Sequence, residues 1–99
     1  VNINLEIDDD IIRDAVGGAA IGYWASTFRW VSRDKMMIRL LEGDTGMEYV
    51  LAPGDFQRGV QIMLARYPRR FADLVTRNGD ATTGDLLVQC AAFGEEKYA

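Results

Sequence analysis

Residues 26–51, STFRWVSRDKMMIRLLEGDTGMEYVL, decide the fold. Phe28, Trp30 and Ser32 alternate with Arg29, Val31 and Arg33, the period of two that sends successive side chains to opposite faces of a strand. Asp34 and Lys35 read as a turn, and Met36 to Leu41 as a second strand. Glu42, Gly43, Asp44, Thr45 and Gly46 make a polar, glycine-rich connection, after which Met47 to Leu51 returns. The spacing predicts antiparallel hairpins rather than the alternating strand–helix pattern of a parallel sheet.

Working outward, Val1 to Ile7 places Val1, Ile3, Leu5 and Ile7 on one face and Asn2, Asn4 and Glu6 on the other, a half-buried strand suited to an edge of that sheet. Asp8, Asp9 and Asp10 suit a helix N-terminus, where a side-chain oxygen caps free amides and the dipole favours negative charge. Ile11, Ile12, Ala15, Val16 and Ala19 continue at helical spacing, and the helix is placed to end between Ile21 and Ala25. Downstream, Pro53 suits a helix start. Phe56, Val60, Met63, Leu64 and Tyr67 form its stripe, and Pro68 interrupts that helix or opens the next. Phe71, Leu74 and Val75 make a short stripe ending at Asn78 and Gly79. Thr82 and Asp85 have capping-box spacing, Leu86, Leu87, Cys90, Ala91 and Phe93 give a last buried face, and Gly94 ends it. Glu95 to Lys97 form a polar tail, with Tyr98 either docked back or exposed. The expectation is one α+β domain over residues 1–99: an antiparallel sheet of three to four strands, helices on one face, in the order β-α-β-β-β-α-α-α.

Composition narrows the chemistry. The 99 residues contain no histidine and one cysteine, Cys90. Histidine-based triads, zinc fingers and zinc deaminase sites cannot be built from this chain. An intrachain disulfide is excluded too. The net charge of −4 is wrong in sign for a general duplex-DNA binder and suits a soluble protein. No apolar run reaches membrane-span length. The acidic start is unlike a signal peptide, so the cytoplasm is the expected location.

Individual motifs read mainly as structure. Gly17, Gly18 and Gly22 lie in GGAAIG, which is not a dinucleotide fingerprint, and no Walker lysine follows. They read as glycines that let another backbone pack closely or that end the helix early. The acids at Asp8 to Asp10 and from Glu42 to Glu48 lack calcium-loop spacing and read as capping and solubility. Asp73, Asp80 and Asp85, or Glu95 and Glu96, would need to face each other in a cleft to act as acid and base. Cys90, on an apolar stripe, reads as a small hydrophobe. The expectation is a protein without cofactor, metal or enzymatic activity.

Two concentrations of residues favour binding. Tyr23, Trp24, Phe28 and Trp30 place four aromatics in eight residues, more than one short segment of a small domain readily buries, and suit a partner interface or homodimer. Arg58, Arg66, Arg69, Arg70 and Arg77 hold five of the eleven bases and suit an anion or an acidic partner. Nucleic acid is the alternative partner there, disfavoured by the overall charge.

The C-terminal stretch adds a resemblance. Asp80-Ala81, then Gly84-Asp85-Leu86-Leu87-Val88-Gln89-Cys90-Ala91-Ala92-Phe93-Gly94-Glu95, closing at Tyr98, resembles the tail of small uncharacterised phage, prophage and plasmid proteins. Those carry an Asp-Ala turn, Ala-Asp, then Gln-x-Ala-x-Phe-Gly-Glu and a final Tyr-Gly. Gly17, Gly18, Tyr23 and Trp24 match glycine-glycine and tyrosine-tryptophan elements of their first helix. Gly84 replaces the alanine before Asp85, and Ala99 the final glycine. The resemblance covers about a third of the chain and implies a mobile-element accessory protein that binds a host or self protein, counter-defence included. It assigns no functional residue. Gln89 is expected to hydrogen-bond a neighbouring turn, and Phe93 to plug the core.

Overall fold

The computed structural model describes residues 7–99. Its elements are α1 (Asp9–Gly17), β1 (Ala25–Ser32), β2 (Met37–Glu42), β3 (Glu48–Leu51), α2 (Pro53–Arg66), α3 (Pro68–Val75) and α4 (Ala81–Phe93). The α+β class and the order from the first helix onward follow the sequence reading. The strand expected over Val1 to Ile7 lies outside the described residues, save Ile7, which is buried.

The three strands form an antiparallel sheet in the order β1-β2-β3. Alternation sorts its faces. Ile38, Leu40, Glu42 and Leu51 are buried on the inner face, with Phe28, Trp30 and Tyr49 half-buried beside them. Thr27, Arg29, Val31, Arg39, Glu48 and Val50 are exposed on the other. The helices fill the inner side. Ile12 and Val16 from α1, Phe56, Val60 and Met63 from α2, and Leu74 from α3 converge on α4. Each such large side chain contributes about 1.5–3 kcal/mol on leaving water.

α4 departs from its expected single buried stripe. Every residue from Thr83 to Ala91 is buried, so it is the central helix, enclosed on all sides. Two glycines allow that enclosure. A Cβ on Gly84 would lie 2.2 Å from the Ala15 carbonyl oxygen of α1, and one on Gly59 of α2 would lie 3.0 Å from the Ala91 nitrogen. These are the close-approach glycines. Gly17 and Gly18 stop α1, the early end weighed for them, so that the helix finishes well before the expected Ile21 to Ala25, and Gly22 has open space around it.

The caps also differ from expectation. Asp80, not Thr82, caps α4 by accepting from the Thr82 and Thr83 amides. Those bonds lower its pKa against the opposing effect of desolvation. Asp85 is thereby freed for another role. Gly94 takes the left-handed conformation, φ 77°, and its amide donates to the Cys90 carbonyl. The chain reverses there, and residues 95–98 run back towards the sheet.

Candidate functional site: a tail clamp and an uncovered hairpin

Two buried carboxylates, Glu42 and Asp85, organise the tail. Sequence reading assigned Glu42 to an acidic surface loop, but it is the buried end of β2. Its carboxylate accepts from Lys97 Nζ at 2.6 Å, from Thr45 Oγ1 at 2.7 Å and from the Tyr98 hydroxyl. Bonds from Lys97, Tyr98 and Thr45 pull its carboxyl down to about 2, against desolvation. The same contact with Glu42 raises the Lys97 ammonium and the Tyr98 phenol above their ordinary values.

Asp85 accepts from Trp24 Nε1 at 2.7 Å, from the Tyr23 hydroxyl at 2.5 Å and from Gln89 Nε2 at 3.0 Å. Partial burial and the Asp85 bond push the Tyr23 phenol up to about 12. Gln89, one turn further along α4, reads the tail backbone. Its Oε1 accepts from the Lys97 and Tyr98 amides at 2.9 and 2.8 Å, while its Nε2 donates to the Tyr98 carbonyl at 3.0 Å. The Tyr98 ring stacks on Trp24 at 5.7 Å, nearly parallel, and Phe93 meets Trp24, Tyr98 and Tyr49 edge-on. Tyr98 is thus docked, and Gln89, expected to bond a neighbouring turn, bonds the returning tail. Tyr23, Trp24, Asp85, Gln89, Phe93 and Tyr98 come together in this clamp.

The clamp's acid sensitivity follows from Glu42. Its carboxyl sits near 2 when folded against an ordinary 4.5, so its stabilisation is complete above pH 4.5 and fades as pH falls towards 2. Hydrogen exchange at the Lys97 and Tyr98 amides is expected to stay protected down to about pH 4.5 and to open below it. Glu42→Gln is expected to lack that acid transition.

The aromatic segment divides. Tyr23 is 59% exposed at its outer edge and Trp24 only 4%, so Trp24 belongs to the core and not to the outer surface on which the sequence reading grouped it. Phe28 and Trp30 meet edge-on at 6.3 Å on the inner face of β1. They stay half-buried because β1 lies at the margin of the helix layer. The Arg33 guanidinium caps the Trp30 ring at 5.2 Å.

The arginine set divides too. Arg58 pairs with Asp55 at 2.6 Å, Arg77 with Asp14 at 3.1 Å, and Arg70 lies 3.6 Å from Asp80. Arg66 lies over the Tyr67 ring. Among the described residues, Arg66 and Arg69 have no carboxylate partner. No single free basic face joins all five. A cleft of about 300 Å³ opens between α1, α3 and the start of α4, and the Asp14–Arg77 pair lies along it.

A stronger cationic surface lies on the β1–β2 hairpin. Residues 25–42 carry Arg29, Arg33, Lys35 and Arg39 against Asp34 and the buried Glu42. Arg29 stands directly across from Arg39 in register. Like charges so placed repel. Arg39 is relieved by Glu48 at 3.2 Å; among the described residues Arg29 has no carboxylate partner. Val31 and Val50, each 46% exposed, share this open face. Charge density along the sequence favoured the helical arginines because pairing with distant acids such as Asp14 and Asp80 is invisible there.

Cys90 is buried on α4, and desolvation pushes its thiol up to about 12, the environment of an inert side chain. Among the described residues, no three metal-ligating side chains cluster, and no helix is long and apolar enough to cross a membrane. Comparison of the chain with protein-family models, curated proteins and solved structures finds no match.

Proposed function

We propose that this protein works by contact rather than catalysis, and that it binds another protein through the β1–β2 hairpin. One observation carries the reading. Among the described residues β1 is an edge strand, and its Phe28 and Trp30 remain half-buried while Arg29 and Val31 are exposed behind them. Aromatic and arginine side chains at an incompletely covered edge are the usual anchors of protein interfaces. The buried polar groups support it from the other side. Glu42 and Asp85 are enclosed by donors that serve the fold, as a clamp requires.

The tail's resemblance to mobile-element proteins favours a bacterial host protein as partner, counter-defence among the consequences of such binding. Nucleic-acid binding through Arg58 to Arg77 gains less support, because three of those five arginines lie against carboxylates.

Affinity capture from bacterial lysate at physiological salt tests the reading with three baits: the native chain, Val31→Asp, and an Arg66→Glu/Arg69→Glu double variant. The expected result is one stoichiometric protein held by the native and double-variant chains and lost with Val31→Asp. Capture of oligonucleotide alone, lost with the double variant, would replace this reading with the nucleic-acid one.

A further inference from the structure

We propose that Glu42, Phe93 and Tyr98 form a seat for an organic ammonium ion, filled by the chain's own Lys97, and that a linear diamine or polyamine takes the place of Lys97 there. This site is independent of the hairpin. Glu42, without solvent contact, closes the floor of the seat and accepts from Lys97 Nζ at 2.6 Å. The Phe93 and Tyr98 rings flank the same ammonium, their centroids 5.1 and 5.6 Å from Nζ. Thr45 Oγ1 at 2.7 Å and the Tyr98 hydroxyl fix the carboxylate's orientation without supplying a charge.

Lys97 is replaceable because the tail has other holds. Gln89 bonds the Lys97 and Tyr98 amides and the Tyr98 carbonyl, and Tyr98 stacks on Trp24. The Lys97 side chain reaches the seat from outside and is 43% exposed, so rotation of its flexible stem uncovers the seat while both rings stay. Glu42 then needs another cation, because a buried carboxylate stripped of its partner is strongly unfavourable. Stability alone does not account for a carboxylate here, since an apolar side chain of similar volume often serves a fold as well as a buried ion pair.

The seat selects its ligand. A 2.6 Å bond to Glu42 requires an N–H donor, which a quaternary ammonium lacks. A single amine must also displace a tethered competitor, whose effective concentration is of the order of millimolar or above. A second ammonium offsets that advantage, and Asp44 is placed to receive it. Asp44 is exposed in the turn that follows Glu42, and its charge acts on both Lys97 and Tyr98. The net charge of −4 favours the approach of a polycation.

The probes are diaminobutane and spermidine, compared with tetramethylammonium and sodium chloride at equal, low ionic strength. Heteronuclear NMR of the native chain follows each titration. The expected result is a saturable shift at the Asp44, Phe93, Lys97 and Tyr98 amides with the two amines and with neither control. Lys97→Ala is expected to bind diaminobutane about tenfold more tightly than the native chain, and Glu42→Gln about tenfold more weakly. In Lys97→Ala the bare Glu42 loosens the tail, so exchange at the Tyr98 amide should be fast without amine and slowed by it. If Lys97→Ala does not fold, the native chain and Glu42→Gln decide between them. No saturable shift with the amines, shifts that follow ionic strength alone, or shifts centred on Asp8 to Asp10 would overturn the site. So would binding undiminished in Glu42→Gln, tetramethylammonium binding as well as diaminobutane, or a folded Lys97→Ala that binds no more tightly than the native chain.

Discussion

An alanine at Gly84 is expected to destabilise the protein by about 3 kcal/mol, read as a fall in the urea midpoint of unfolding. The added methyl would lie 2.2 Å from the Ala15 carbonyl oxygen and 3.1 Å from the Ala19 Cα. Both are backbone atoms, so no rotamer change relieves the clash. α1 would have to draw back from α4, uncovering Ile12 and Val16, both essentially without solvent contact. Gly54→Ala in the first turn of α2 is the matched control, because nothing lies within 4 Å of its new methyl. Helix propensity and reduced unfolded-state freedom should leave that variant neutral or stabilised by about 0.5 kcal/mol. Equal midpoints for the two variants would show that α1 and α4 do not approach as described.

Gln89→Leu is the second large effect. Leucine nearly preserves volume but removes the bonds to Asp85, to the Tyr98 carbonyl and to the Lys97 and Tyr98 amides. Buried or half-buried groups that lose their partners cost about 1–3 kcal/mol each, and part of that loss is recovered if the tail lifts into water. A net loss of about 3 kcal/mol is expected, together with fast exchange at the Lys97 and Tyr98 amides and altered Trp24 fluorescence as Tyr98 unstacks. Gln89→Glu separates hydrogen bonding from shape. It sets a second carboxylate where Nε2 now lies 3.0 Å from Asp85 Oδ1. Repulsion raises the pKa of the introduced carboxyl in the folded state, so destabilisation is greatest at neutral pH and eases as pH falls through that raised value. A Gln89→Glu protein with native-like stability at neutral pH would contradict this arrangement.

The strands were legible because their signal is local. The Phe28–Trp30 and Ile38–Leu40 alternations require only a period of two, and the observed strand ends fall within about a residue of those read from the sequence. Helix starts at Pro53 and Pro68 and the stop at Gly94 were legible for the same reason, since each reflects a backbone constraint at one residue. What failed was long-range. Glu42 follows a strand and precedes Gly-Asp-Thr-Gly, so its local context describes a surface loop. Its burial depends on Lys97 and Tyr98, which lie 55 and 56 positions away. Asp85 has capping spacing from Thr82, yet the cap is Asp80 and the Asp85 partners Tyr23 and Trp24 come from before β1. The enclosure of α4 was hidden similarly. Nothing in the local sequence marks Gly59 and Gly84 as contact points, because the atoms they admit belong to neighbouring helices.

The same distance in sequence limits how this chain can fold during its synthesis. Trp24 and Glu42 are synthesised well before Gln89, Phe93 and Tyr98, which cover them. The nascent sheet must wait with an indole and a carboxylate lacking their native partners until the stretch up to Tyr98 has emerged. Until then the unfinished chain exposes an oily surface to chaperones and proteases, and residues 89–98 decide when that exposure ends.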